Sequence, residues 1–244
     1  MNYDALAEYY DPQRLGYSNE LYSTLLGLGL SPRHYVVDVG SGTGLGSAFL
    51  IENGFRVTGL DSSPAMLERA RDRIPAATWV EGRAESMPFE AGSFDAAIAA
   101  HAFHRFDRQA AIEELIRTVR PGGLVAMWWR TLSGEDPVKL LRDEVASGLG
   151  AQPPAEGLAN GFKEFYGSRL TQPLLRVVPW LVTMPLADFM RYERSRLSVA
   201  LALRERAGEY FSELESRLRR HAGERGMLGL SYLQFVYAAR TPAR

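Results

Sequence analysis

The stretch Val36-Val37-Asp38-Val39-Gly40-Ser41-Gly42-Thr43-Gly44-Leu45-Gly46 limits the folds open to this chain more than any other. A β-branched apolar run ends in an acid, breaks into alternating glycines, and turns helical through Ser47-Ala48-Phe49-Leu50. The pattern predicts a buried parallel strand, a tight turn and the start of a helix. Glycines at such a turn let backbone come close to a ligand, and the helix behind it presents free N–H groups. The dinucleotide fingerprint needs glycine at the first, third and sixth places. Counted from Gly40 the sixth place is Leu45, and counted from Gly42 it is Ser47. The glycines instead alternate after an acid, as Asp-x-Gly-x-Gly-x-Gly.

The following residues repeat the strand–loop–helix theme. A second strand, Arg56 to Asp61, closes on an acid about twenty residues past the glycines, where nucleotide-binding α/β folds place a ribose acceptor. Ser62-Ser63-Pro64 follows, with Ser63 suited to an N-cap and Pro64 to the first helical position. Met66 lies one turn into that helix, as a ligand contact or as core filling. A third strand, Ala77 to Glu81, leads into Gly82-Arg83-Ala84-Glu85-Ser86-Met87-Pro88-Phe89. A fourth, Ser93 to Ala100, runs into His101-Ala102-Phe103-His104-Arg105-Phe106-Asp107, and Asp107 is placed to cap a helix from Gln109 to Val119. Pro121-Gly122-Gly123 then ends the helix and turns into a strand, Leu124 to Arg130. Sites in open α/β sheets lie beyond the carboxyl ends of the strands, so residues 100–106 are expected to face the reacting centre.

These ordered motifs resemble the class I S-adenosylmethionine-dependent methyltransferases, over roughly residues 3–130. In that family the glycine loop wraps the amino-acid part of the cofactor. The Gly82-Arg83-Ala84-Glu85 stretch resembles the family's adenine loop, often Gly-Asp-Ala-Glu, with Arg83 standing where aspartate is common. The stretch from His101 to Phe106 resembles the Gln-Ala-Phe-His-Trp-Phe of trans-aconitate-type carboxyl methyltransferases, with His101 for Gln and Arg105 for Trp. The Asn/Asp-Pro-Pro-aromatic motif of exocyclic-amine methylation is absent. A leading segment carrying Tyr9, Tyr10, Arg14 and Tyr17 resembles the lid of small-molecule methyltransferases, and reads equally as a helix that covers the sheet. Arg14 suits a carboxylate, of the cofactor or of the acceptor.

The resemblance implies a doubly wound, mostly parallel seven-stranded Rossmann-like sheet with an antiparallel last strand. It also implies S-adenosylmethionine as cofactor and a small-molecule methyl acceptor, with a carboxylate as one candidate. Cofactor contacts are then expected from Tyr10, Arg14, Asp38, Gly40, Ser41 and Gly42 in the first half of the site. Asp61, Ser62, Met66, Ala84, Glu85 and His101 complete it. His101 and His104 are the candidate general bases should the acceptor need one. The rival readings are an O- or N-methyltransferase of another metabolite using one of those histidines, a cofactor-binding relative without activity, and a nicotinamide oxidoreductase. The glycine spacing counts against the last.

Composition narrows the partners. A formal net charge of −1 makes no electrostatic case for nucleic acid or an acidic membrane. The chain has no cysteine, which removes disulfides, thiolate metal sites and thiol nucleophiles, and no metal is expected. No signal peptide or apolar span is visible, so a cytoplasmic location is expected. The expected organisation is one domain: N-terminal lid helices over 1–33, a cofactor-binding core over 34–130, a helical cap insertion with a late strand over 131–230, and a final strand over 231–244. Leu174 to Val182 is the expected late strand, with Pro179 marking an edge. A helix is expected from Ala200 to Arg220, and the final strand from Leu233 to Arg240. Arg191, Arg194, Arg196, Arg204 and Arg206 read as a solvated helix face or as an anion-binding cap. Oligomeric state leaves no mark in the sequence.

Overall fold

The computed structural model describes residues 15–151, 163–195 and 203–243. Tyr9, Tyr10, Arg14 and Arg196 lie outside the described residues.

Seven strands form one sheet: β1 (Tyr35–Val39), β2 (Arg56–Asp61), β3 (Thr78–Glu81), β4 (Phe94–Ala100), β5 (Val119–Leu132), β6 (Thr171–Pro185) and β7 (Met227–Arg240). Their order is β3-β2-β1-β4-β5-β7-β6. The first five run parallel, and β7 slips in antiparallel between β5 and β6. Chain order reverses between β1 and β4, which places a crevice at their carboxyl ends.

Period-two alternation divides the central strands between two faces. Val36, Val57, Ala96 and Ile98 pack beneath α1 (Asn19–Gly27) and α2 (Leu45–Glu52), through Leu21, Leu25, Phe49 and Leu50. Val37, Val39, Leu60 and Ala97 face the other way, onto Ala111, Ile112 and Leu115 of α4 (Arg108–Thr118). Between them in sequence, α3 (Pro64–Arg73) covers Trp79 of β3 with Leu67 and Ala70. Ser18, Ser63 and Asp107 cap α1, α3 and α4, each accepting from the N–H three residues on.

A third cluster lies at the far ends of the late strands. α5 (Pro137–Gly148), α7 (Leu186–Arg194) and α8 (Ala207–Ala222) bury Val138, Phe189, Met190, Tyr210, Leu214 and Leu218 against Leu132, Leu230 and Tyr232. A shorter helix, α6 (Lys163–Tyr166), inserts Phe165 under α4. Asp136 ties this cap to the sheet. Its Oδ1 accepts from Val138 N and Lys139 N, and its Oδ2 accepts from Ser231 N of β7 at 2.6 Å.

Several boundaries differ from the sequence reading. The helix after Asp107 stops at Thr118, because Val119 already pairs with Phe94; Pro121-Gly122-Gly123 then forms an irregularity within β5, where the register shifts between Phe94 and Ala96. The late strand is the longer Thr171–Pro185 and, paired among the described residues only with β7, is an edge as Pro179 implied. The final strand begins at Met227, since its first half packs under the cap. Among the described residues no helix is long and apolar enough to cross a membrane.

Candidate active site

The glycine loop joins β1 to α2 and closes on the end of β2. Gly40 N and Ser41 N both donate to Leu60 O, at 2.8 and 3.0 Å. Gly40, Gly42 and Gly44 all have positive φ, but their surroundings differ. A Cβ on Gly40 would lie 2.6 Å from Ala102 Cβ, and one on Gly44 2.7 Å from Trp79, so these two are required by packing. A Cβ on Gly42 would meet nothing within 4 Å. Gly42 is thus the one glycine of the loop that borders open space, where a ligand can lie against backbone.

Asp61 stands beside it. Its Oδ2 accepts from Gly42 N at 2.8 Å and its Oδ1 from Ser63 N at 3.0 Å. Burial raises its carboxyl above the ordinary range, while these N–H groups and the charge of Arg105 pull it back. Each oxygen keeps a further lone pair, so the carboxylate can still accept from a vicinal diol. Ser62 is exposed beside it, and Met66 is buried in the first turn of α3, its N–H donated to Ser63 Oγ.

Asp38 lies near the end of β1, beneath the loop. It is fully buried, and Oδ2 accepts from Ser47 Oγ at 2.7 Å while Oδ1 has no hydrogen-bond partner. Burial pushes its carboxyl up to about 7, helped by the negative charge of Asp61. Ser41 Oγ is likewise buried and without a partner. Two orphaned polar atoms directly beneath the loop fit a site completed by a polar ligand.

The Gly82–Glu85 loop docks on the turn after β4. Glu85 Oε1 accepts from Asp107 N at 3.0 Å and Oε2 meets Arg83 Nη2 at 3.2 Å. Ala84 is buried in the core. Glu85 is half-buried and holds two loops of the crevice together.

Beyond β4, His101 adopts φ 56°, unusual for a residue with a Cβ. Its N–H donates to Trp128 O, and its Nε2 accepts from Arg130 N at 3.1 Å. Nε2 is therefore engaged as an acceptor, and the proton of a neutral ring resides on Nδ1. Tyr17 stacks on this ring with centroids 6.4 Å apart. His104 Nδ1 accepts from Trp129 Nε1 at 3.1 Å. Desolvation, with the positive charges of Arg105 and Arg108, pulls this imidazole down to about 4, so it is neutral and a weak base at pH 7. His101 Nε2 is thus occupied by a backbone N–H, and His104 is too weakly basic for the near-neutral titration that general-base catalysis favours.

Tyr17, Asp61, Gly42 and His101 thus gather around the carboxyl ends of β1, β2 and β4. Sequence reasoning passed over Trp128, Arg130 and Gln234. Trp128 Nε1 and Gln234 Oε1 are buried without partners, and Gln234 Nε2 donates to Ser18 Oγ at 2.7 Å. The available signal was the polar ending of an apolar strand, Trp128-Trp129-Arg130, at the carboxyl side of the sheet.

Residues 37–127 match the family model described as "Methyltransferase domain". An uncharacterized methyltransferase of Synechocystis sp. is 38% identical over 103 residues, covering 41% of this chain and 49% of that protein. A malonyl-[acyl-carrier protein] O-methyltransferase of Serratia marcescens is 39% identical over 103 residues, covering 41% of this chain and 40% of that protein. The chain therefore spans about half the length, or less, of these curated relatives. A solved structure from Anaeromyxobacter dehalogenans, assigned as a type II methyltransferase, superposes with a TM-score of 0.71 at 26% identity, over 95% of this chain and 99% of the other. Residues 37–127 are therefore similar to a methyltransferase domain, and the seven-stranded sheet built around them has the fold of the Anaeromyxobacter methyltransferase.

Proposed function

We propose that the protein transfers a methyl group from S-adenosylmethionine to an oxygen of a small-molecule acceptor. The observation that carries this reading is the pairing of Asp61 with Gly42 N, beside the one loop position that borders open space. Asp61 would accept from the ribose hydroxyls, the loop at Gly42 would pass under the amino-acid part, and Glu85 with Ala84 would edge the adenine. Tyr10 and Arg14 are further proposed contacts from the N-terminal segment. The cofactor supplies an electrophilic methyl group on a sulfonium. The chain's own work is to hold the acceptor in line and exclude water.

The state of the two histidines favours an acceptor that arrives already ionised. A hydroxyl or amine must lose a proton, whereas a carboxylate needs no base. With His101 Nε2 bonded to backbone and His104 held at about 4, a carboxylate oxygen suits this site best. The Serratia relative, named for O-methylation of a malonyl group, accords with that choice. Calorimetry with S-adenosylhomocysteine and with NAD tests the cofactor. Binding of the first and not the second is expected, and the reverse would overturn the reading. Incubation with S-adenosylmethionine and a panel of small carboxylic acids, followed by mass spectrometry for the methyl ester, tests the acceptor.

A further inference from the structure

The end of β5 holds a guanidinium in an arrangement that invites an anion. Arg130 is half-buried, and its carbon lies 5.8 Å from the Tyr17 ring centroid, 5.5 Å from Trp180 and 5.3 Å from Tyr232. Its Nη1 donates to Leu15 O, at 2.9 Å, and to Gly16 O. Aromatic faces and carbonyl dipoles hold a cation in place without cancelling its charge. Among the described residues no carboxylate pairs with it. Glu193, a buried acid of the cap, accepts from Tyr210 OH at 3.0 Å. Taking a side chain of this kind out of water without a counter-ion is costly, and proteins usually pair it. The Nε–Nη2 edge, which these carbonyls leave open, is the flat two-donor edge that matches a carboxylate.

The position is also informative. The backbone N–H of Arg130 is bonded to His101 Nε2, at the turn after β4. Tyr17 joins the two sites, stacked on His101 and facing the guanidinium. Tyr17 and Trp180 also line a hollow of about 550 Å³, together with Ser18, Asn19, Glu20, Pro179 and Leu181. A hollow of that size suits a small organic molecule.

We propose that Arg130 is the recognition residue for the acceptor, and that the acceptor is a small monocarboxylic acid with a flat, apolar body. The guanidinium holds one carboxylate and the Tyr17 and Trp180 rings hold the body. A single uncompensated positive charge matches a monoanion better than a phosphate dianion. This inference rests on the methyltransferase reading above, since it takes the end of β4 and β5 as the acceptor side of the site.

The test uses the full chain saturated with S-adenosylhomocysteine. Benzoate, phenylacetate and cinnamate are titrated against their primary amides, which share their shape without the charge, and against phenyl phosphate, with binding followed by NMR or calorimetry. At least one acid should bind ten- to a hundredfold tighter than its amide and tighter than phenyl phosphate, as expected for a charged hydrogen-bonded pair. Arg130→Met should erase that preference while the dissociation constant of S-adenosylhomocysteine stays at the wild-type value. Acids that bind no better than their amides, or none that binds at millimolar concentration, would overturn the assignment in the wild-type protein alone. A preference that survives in Arg130→Met, or in Arg130→Gln should the first variant not fold, would do the same. Failure of the wild-type protein to bind S-adenosylhomocysteine would refute the methyltransferase reading itself.

Discussion

Asp38 makes a strong prediction about stability against pH. Its carboxyl is raised from 3.8 to about 7 in the folded protein, first by burial. The unfolded chain releases that proton near pH 4, whereas the folded protein keeps it until about pH 7. Between those values the folded state binds more protons, so stability from this group falls as pH rises, and the loss is complete above pH 7. Carrying a carboxyl over that interval, at about 1.36 kcal/mol for each tenfold step, withholds about 4 kcal/mol from the folded state at pH 8. Asp38→Asn removes the titration. The amide can still accept from Ser47 Oγ, but its NH2 takes the place of the unpartnered Oδ1 and costs roughly 1–3 kcal/mol at every pH. The variant should therefore begin at a disadvantage near pH 4 and gain on the wild type by up to about 4 kcal/mol by pH 8, then level off. Urea denaturation of both proteins at a series of pH values measures this. Taking the difference cancels other titrating groups, such as Asp95 and Glu114, whose carboxyls are lowered and whose contribution runs the opposite way. A difference curve that is flat across pH 4 to 8 would refute a strongly raised Asp38.

Gly42→Ala should lower stability by only about 1 kcal/mol, the cost of a Cβ at positive φ with no neighbour to strike, yet weaken S-adenosylhomocysteine at least tenfold by calorimetry. The same change at Gly40 strikes Ala102 and Phe106, so it should show first as a loss in thermal denaturation. Asp61→Ala removes an acceptor from Gly42 N and Ser63 N, and the proposed ribose acceptor with it; both melting temperature and cofactor affinity should fall, the latter roughly ten- to a hundredfold. An unchanged dissociation constant would take Asp61 out of the site. Asp136→Ala strips three N–H groups of a buried partner and should cost roughly 2–4 kcal/mol, read by denaturant titration. Cofactor binding, proposed over β1 and β2 rather than beyond β5, should survive that change.

Much of this was legible because local signals agreed with one another. The caps at Ser63 and Asp107 are governed by residues three positions away, and both accept from the N–H their chemistry requires; Asp61 closes β2 and accepts from Gly42 N of the glycine loop. The division of labour among the glycines was not legible. Sequence shows that backbone freedom is needed at Gly40, Gly42 and Gly44, but only the packing of Ala102, Phe106 and Trp79 shows which of them borders open space. The same limit hid Arg130. Its surroundings come from Tyr17, Trp180 and Tyr232, three elements joined by no local pattern, so a strand-ending arginine passed as ordinary. His101 and His104 stood out by type and place, yet their competence as bases depends on Arg130 N and Trp129 Nε1, which no spacing in the sequence announces.

The placing of β7 between β5 and β6 carries a consequence for how the chain reaches this state. Among the described residues β6 has no partner except β7, and β5 is covered on that side only by β7. During synthesis β6 emerges first, with Leu175, Val177 and Leu181 still exposed even in the finished sheet, and must wait for the whole of α7 and α8 before it can pair. The five parallel strands can assemble meanwhile, leaving the flank of β5 open as a template for any other extended segment. Closure by β7 is thus a late step that makes two ladders at once, each joining residues far apart in sequence. It should set the slow phase of refolding, and aggregation should be most severe in the interval before it.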